Sequence, residues 1–494
     1  MKPLRKNPHI YEINLMTWLN RLSAGDKKGL MLKDVPDRVW SDLREKGFDL
    51  IWLMGIWQRS ADAIHRARRH PYLVNTCRSI LDDFNLDDIT GSPYAIVSYT
   101  PDPVFETIED LIALKERLED MGLYLILDFV PNHTACDHAW ISKHPEYYIQ
   151  ASPLKSGKCP RGFFRLLDNN SLCIAHGKDP NFHPWTDTAQ IDYTNPKAIE
   201  AMLETLVHVS QYCHGLRCDM AMLVLSNVFR KTWRRRVTCD ASREFWGLAI
   251  ERLGSLNRRC LLLAEVYWDM EKDMIDMGLD YAYDKTFYDL LVKGDVRDLK
   301  AHLAAPVEYQ QRLIRFLENH DEPRALAVFG HEKIYSAMVI HATVPAMRFW
   351  HEGQFDGSRI KMPVQLRRRP DEPIDRELTA FSERLLLEVN QPVFHQGAWR
   401  MLKTHGWSDN QSHKDLLAWT WSDGEERRLI VVNYRPHSSQ GVITIPAKWL
   451  WGSEEARLVD PLKGELYLRS AKRMEDEGLY VDLKPWDFHF FGIG

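Results

Sequence analysis

A (β/α)8 barrel with a loop-rich domain inserted after its third strand and an antiparallel β-sandwich domain at the C-terminus is the fold class that this 494-residue sequence predicts. Three observations lead there. Short, near-continuous apolar runs alternate with helical patterns over about 390 residues, which implies a parallel sheet buried on both faces, and the length favours closure into a barrel. Between residues 136 and 187 that alternation yields to turn-rich sequence holding Pro153, Gly157, Pro160, Gly162, Gly177, Pro180 and Pro184, an excursion long enough to be a functional insertion. From residue 392 onward short alternating β segments take over. The expected division is therefore 1–135 with 188–391 for the barrel, 136–187 for the insertion and 392–494 for the β domain.

Candidate strands run in order through Ile10–Asn14, Phe48–Leu53, Gly122–Val130, Gly215–Arg217, Cys260–Ala264, Leu313–Phe316 and Ala346–Trp350. Each is a short, largely apolar stretch with no proline, which fits a strand covered on both faces. Thr107 caps a helix with Ile108, Leu111, Ile112, Leu118 and Met121 on its buried side and Asp110 at the box position. Gly122 supplies its left-handed stop. Asn195-Pro196 opens another helix, with Ile199, Met202, Leu203 and Leu206 facing inward. In the tail, Leu416–Trp421, Arg428–Tyr434 and Gly441–Ile445 alternate as antiparallel strands do. No internal repeat is evident.

Composition excludes several classes. Hydrophobic residues are 45% and charged residues 27%, an ordinary globular balance, and the formal charge of −5 offers no global basic field for nucleic acid or anionic lipid. The basic runs Arg234–Arg236 and Arg367–Arg369 read as solvated helix faces or loops. No apolar run approaches the ~18 residues of a membrane span, and the N-terminus has charge but no apolar signal core. The eight cysteines contain no Cys-x-x-Cys pair, and Cys159 and Cys173 are expected to stay reduced. The expected setting is reduced and cytoplasmic, with no nucleic-acid or membrane partner.

Three carboxylates close apolar runs in one chain order: Asp219 after Gly215-Leu-Arg-Cys, Glu265 after Leu261-Leu-Leu-Ala, and Asp321 after Phe316-Leu-Glu-Asn-His. A carboxylate just past a barrel strand sits where such barrels carry their chemistry. The motifs holding them form a set. Leu127-Asp128-Phe129-Val130-Pro131-Asn132-His133 resembles the first conserved region of the α-amylase superfamily of glycoside hydrolases, Gly215–Asp219 the second, Ala264-Glu265-Val266 the third and Asn319-His320-Asp321 the fourth. All four occur in family order, and the ordered set is specific where any one motif is not.

The resemblance implies Asp219 as nucleophile, Glu265 as general acid/base and Asp321 as the carboxylate that orients substrate hydroxyls. It implies Arg217 beside Asp219, His133 and His320 on the sugar, Asp128 paired with Arg217, and Asn132 holding the loop. Tyr94 is a candidate stacking platform and an equally good loop-packing tyrosine; Tyr267 and Trp268 are candidates for the leaving-group side. A retaining glycosidase needs two carboxyls about 5–5.5 Å apart, one attacking carbon and one protonating the departing oxygen. The acid must hold its proton near neutrality, and the apolar residues around Glu265 would favour that. The implied substrate is an α-glucan or maltooligosaccharide, with no cofactor.

Two positions depart from the family pattern. Where many endo-acting α-amylases continue the second region with Lys-His, this chain has Met222 and Leu223. The motif therefore gives no support for a structural calcium, and Asp137, Asp168 and Asp179 match no calcium-loop spacing. The apolar replacement also weakens endo-action on starch. Hydrolysis of short maltooligosaccharides and transfer to another sugar stay open, as does, more remotely, a non-catalytic amylase-like glycan-binding subunit.

Overall fold

The computed structural model describes residues 3–23, 29–166, 171–233, 244–446, 449–450 and 454–494. Eight parallel strands close into a barrel: His9–Asn14 (β1), Leu50–Met54 (β2), Tyr124–Phe129 (β3), Gly215–Cys218 (β4), Leu261–Ala264 (β5), Tyr281–Tyr283 (β6), Leu313–Arg315 (β7) and Met347–His351 (β8). Each pairs with the next in chain order, and β8 returns to β1 through His9 opposite Arg348. Seven of these carry the seven expected runs. The eighth, β6, is a three-residue Tyr-Ala-Tyr segment too short for a periodicity argument.

Side chains alternate across each strand, so the barrel has two apolar layers. Ile10, Trp52, Ile126, Leu263, Ile314 and Phe349 fill its interior, while Ile13, Ile51, Leu127, Leu216 and Leu262 face the helices. Gly215 belongs to the interior because a Cβ there would stand 2.8 Å from both Ile126 and Leu261.

The helix Ile108–Asp120 is capped by Thr107, whose hydroxyl accepts from the Asp110 amide. The rest of the expected box is absent: the Asp110 carboxylate accepts from the Thr107 hydroxyl, 2.9 Å. Its buried stripe is Leu111, Leu114 and Leu118, and Ile112, one position off that face, is 39% exposed. The helix Pro196–Val209 starts on Asn195 as expected and buries Met202, Leu203, Leu206 and Val209.

After β3 the chain leaves the barrel through a neck in which His133–Ala135 pairs antiparallel with Thr188–Gln190. Between them lies a small sheet of Gln150–Ala151, Phe163–Arg165 and Cys173–Ala175. Here one expectation is corrected: Cys159 and Cys173 form a disulfide, with Cα atoms 5.8 Å apart. Pairing of Phe163–Arg165 with Cys173–Ala175 folds the chain back so that the two cysteines meet. Disulfides persist in oxidising compartments, so this one does not support the reduced setting expected from sequence. Alkylation of denatured, unreduced protein should spare Cys159 and Cys173 while modifying Cys77, Cys136, Cys213, Cys218 and Cys260, as peptide mass mapping would record.

A second excursion, between β2 and β3, was not expected. It carries the hairpin Trp57–Arg59 with Ile96–Pro101 and the helices Ala61–Arg69 and Pro71–Ile80. The C-terminal domain is a sandwich of a six-stranded and a three-stranded sheet. Leu416, Ala418, Leu429 and Val431 face its internal core with Val481 and Leu483. The alternate residues Leu417, Trp419, Trp421, Ile430 and Val432 join the barrel's outer core instead. The Trp421 indole donates to the Thr343 carbonyl at 2.6 Å, tying the two units together.

Candidate active site

The period of two that fills the barrel also builds the site at its carboxyl end. Tyr124 and Ile126 point inward, and the next residue in that row is Asp128. Gly215 is followed by Arg217 and then Asp219, Leu261 and Leu263 by Glu265, and Ile10 by Glu12. Asp128, Glu265 and Glu12 thus sit one step beyond the apolar layer, and Asp219 two. The register sets Arg217 directly beside Asp128 on one neighbour and Leu263 on the other.

Arg217, 1% exposed, is the hub. Its Nη1 donates to Asp219 Oδ1 at 2.6 Å and its Nη2 lies 2.8 Å from Glu265 Oε2. The guanidinium carbon stands 5.2 Å over the Trp52 ring and 5.3 Å over the Tyr94 ring, within cation–π range. Glu265 is further fixed by the Met220 amide, 2.6 Å from Oε2, and by the Tyr267 hydroxyl, 2.8 Å from Oε1. Met220 reaches that position in a left-handed conformation (φ 42°), and Trp268 and Asp269 are left-handed as well. Such backbone costs about 1–3 kcal/mol per residue and clusters at functional sites.

Asp321 joins through His320, whose Nε2 lies 3.0 Å from Asp321 Oδ2 and 2.9 Å from the Tyr94 hydroxyl. The His320 Nδ1 is 2.5 Å from Glu12 Oε1. The Asp321 side chain is 52% exposed and forms the open rim, whereas Asp219 and Glu265 are buried.

Burial pushes the Glu265 carboxyl up to about 7; Arg217 opposes this, while Asp219 and Asp321 add to it. Burial also raises Asp219, against the pull of Arg217. Asp321 is held below the usual carboxylate range, because His320, Arg217 and Lys361 together outweigh desolvation. Desolvation disfavours a charged His320, but Asp321 and Glu12 on its two nitrogens hold its pKa well above the ordinary value. His320 is therefore a fixed cation.

Asp219, Glu265, Asp321, Arg217, His320 and Tyr94 come together as one cluster. Asp128 is looser than expected: its Oδ1 is 3.7 Å from Arg217, and Oδ2 accepts from the Gly55 amide. Burial pushes its carboxyl up to about 7. His133 sits in the neck, with Nδ1 3.3 Å from the Asn132 amide and its ring 5.3 Å from Trp185. Burial lowers its pKa to about 4, so it is neutral, and its buried Nε2 has no hydrogen-bond partner among the described residues. Asn132 does hold the loop, accepting from the Gln190 side chain on both its carbonyl and Oδ1. Sequence reading missed Glu12 and Lys361. The one available signal was an acid embedded in the apolar run Ile10-Tyr-Glu-Ile.

Among the described residues, the positions considered from sequence do not assemble a calcium site. Met222 and Leu223 are buried in the core. The Asp137 carboxylate accepts from the Asp62 amide, and that of Asp179 from the Asn181 and Phe182 amides. Asp168 lies outside the described residues. Among the described residues no three His, Cys, Asp or Glu side chains converge as metal ligands. A chelator is expected to leave the melting temperature unchanged, and a large drop in a thermal melt would contradict this.

The basic run Arg367–Arg369 lies in a loop. Arg368 pairs with Asp88 and Asp83, and Arg369 with Glu352 and Asp356. Arg368 and Arg369 are thus ion-paired in that loop, while Arg367 is exposed. Arg234–Arg236 lie outside the described residues. No helix among those described is long and apolar enough to cross a membrane.

A closed parallel barrel with three acids and a buried arginine at the carboxyl ends of its strands defines a (β/α)8 protein with a carboxylate-centred site. The family profile described as alpha amylase, catalytic domain, matches residues 41–345, more than half of the chain, and the protein belongs to that family. It is 22% identical over 301 residues to Alpha-amylase 3 of Dictyoglomus thermophilum, covering 55% of each chain. It is 39% identical over 148 residues to the amino acid transporter heavy chain SLC3A1 of Rattus norvegicus, covering 27% of this chain and 20% of that one. The chain spans about half the length of the first curated relatives it matches. The solved structure of a maltogenic alpha-amylase, AmyB, from Thermotoga neapolitana superposes with a TM-score of 0.66 at 18% identity, covering 98% of both chains.

Proposed function

We propose that this chain is a retaining glycoside hydrolase that cleaves α-glucosidic bonds, of the α-1,4 type, in maltooligosaccharides. The observation that carries the reading is a single buried guanidinium bonded to Asp219 at 2.6 Å and 2.8 Å from Glu265, with Asp321 on the adjoining histidine.

Asp219 attacks the anomeric carbon as the bond from that carbon to the bridging oxygen breaks, and Glu265 gives its proton to that oxygen. The glucosyl group is then esterified to Asp219. Water attacks the same carbon, passes a proton to Glu265, and frees Asp219. Arg217 keeps Asp219 aimed and charged. Asp321 and the His320 cation bind the hydroxyls of the ring lying on Tyr94. A sugar hydroxyl in place of water gives transfer by the same residues.

The similarity to a transporter heavy chain keeps a non-catalytic reading in view. Three intact acids around an intact arginine support catalysis instead. A time-resolved product profile on defined maltooligosaccharides, with Asp219→Asn as blank, tests the proposal. Shorter products alone indicate hydrolysis, and longer ones appearing beside them indicate transfer. No consumption of any α-glucoside would refute the reading.

A further inference from the structure

The six-stranded sheet of the C-terminal domain ends on a strand with an open side. Glu465–Ser470 pairs with Glu455–Asp460 and, among the described residues, with no other strand. Leu466 is 51% exposed and Leu468 48%, and Val459, directly across from Leu466, is exposed too. Glu465, Arg469 and Ser470 also lie open to solvent. Edge strands are ordinarily blunted by proline, by lysine or by a bulge. This one has no proline and no lysine, and its pairs with Glu455–Asp460 run in unbroken register.

The ladder bonds decide which backbone groups of this edge are free. Arg457 exchanges both of its backbone bonds with Gly494, each 3.1 Å, so its N–H and C=O point toward the strand Phe488–Ile493. Alternate residues of an antiparallel ladder turn to opposite neighbours. Ala456, Leu458 and Asp460 therefore bond toward the edge strand, where they face Arg469, Tyr467 and Glu465. That leaves Leu466 and Leu468 with their N–H and C=O groups aimed outward. The Leu468 carbonyl accepts from the Arg469 guanidinium at 2.9 Å, as suits an acceptor with no strand beyond it.

The edge is complementary to its own reverse. Glu465-Leu466-Tyr467-Leu468-Arg469 reads acid, leucine, tyrosine, leucine, base. Laid antiparallel against a second copy about Tyr467, each Glu465 stands opposite an Arg469 and each Leu466 opposite a Leu468. The leucines are the residues whose backbone groups point outward, so the register that matches the charges also pairs every outward donor with an acceptor. Leu466, Leu468 and Val459 of both copies then meet on one face, and the ion pairs lie on the other. By contrast Leu479–Leu483, at the edge of the three-stranded sheet, has Asp482 and no cation, so it offers no such match. We infer that the strand Glu465–Ser470 joins two copies of this chain, their six-stranded sheets running on as one across a two-fold axis at Tyr467.

Sedimentation velocity on the full chain is the test. One strand edge makes a small interface, so the concentration series should reach about 100 μM. The wild type should pass from monomer to dimer as concentration rises. Glu465→Arg puts a second cation opposite Arg469, and Arg469→Glu puts a second acid opposite Glu465. Each should weaken self-association on the order of 10- to 100-fold, because two matched pairs become two repulsive ones. Both positions are exposed, so both variants should melt with the wild type. An equimolar mixture of the two variants should dimerise as the wild type does, since every cross-strand pair is again acid against base. A wild type that stays monomeric throughout the series would overturn the inference. So would a dimer that neither substitution weakens, or two variants that stay apart when mixed.

Discussion

Glu265→Gln lowers kcat on maltooligosaccharides by about 10²–10⁴-fold, the span typical of a lost general acid. Glutamine keeps an acceptor for the Met220 amide but has no proton to deliver to the departing oxygen. The loss should therefore depend on the leaving group. A glucosyl fluoride, whose fluoride departs without a proton, should lose far less in the first step than a maltooligosaccharide. The pH profile provides a second readout. With its pKa pushed up to about 7 by burial, Glu265 holds its proton below that pH and loses it above. In the wild type kcat/KM should fall as pH rises through about 7, and in Glu265→Gln that limb should vanish. Full turnover of the variant on a poor leaving group, or an unchanged basic limb, would remove Glu265 from the acid role.

Much of this was legible before the structure because strand periodicity and site chemistry share one geometry. The run Leu261-Leu-Leu-Ala-Glu announces both a doubly covered strand and an inward-facing acid past its end, and the structure has both. The same holds for Gly215-Leu-Arg-Cys-Asp. What stayed hidden depends on long-range contacts. Glu12 meets His320 across 308 residues, a pairing no local pattern carries. The segment Tyr281–Tyr283 is a strand only because Leu263 and Ile314 flank it. The disulfide was misjudged because a reducing compartment was inferred from the N-terminus and the lack of a long apolar run, although Cys159 and Cys173 lie in a loop-rich segment where a hairpin brings them together. The ion pairs of Arg368 were missed for a related reason: Arg367–Arg369 read as a charge run, and the partners Asp83 and Asp88 lie on another loop.

Arg217→Met is expected to be the most damaging change to stability within the site. Arginine and methionine are similar in length, so little space opens, but the only side-chain cation bonded to Asp219 among the described residues disappears. Asp219, Glu265 and Asp128 would then face one another in the barrel mouth with the largest opposition to burial gone. Breaking a buried ion pair by removing one partner costs about 3–5 kcal/mol, because the remaining charge stays desolvated. Here the cost has a pH signature. Burial already raises Glu265 and Asp128 to about 7, above their values in the unfolded chain, so the folded state binds protons more tightly and ionisation opposes folding. Removing Arg217 raises both further. The destabilisation should therefore be small near pH 5, where these groups are protonated in the fold, and grow through pH 7 and above. Denaturant unfolding at pH 5 and pH 8 measures this directly. Arg217→Lys keeps a charge without the fork and should recover part of the stability at pH 8 and little of the activity. A methionine variant as stable as the wild type at both pH values would mean that the three acids are not held together by this guanidinium.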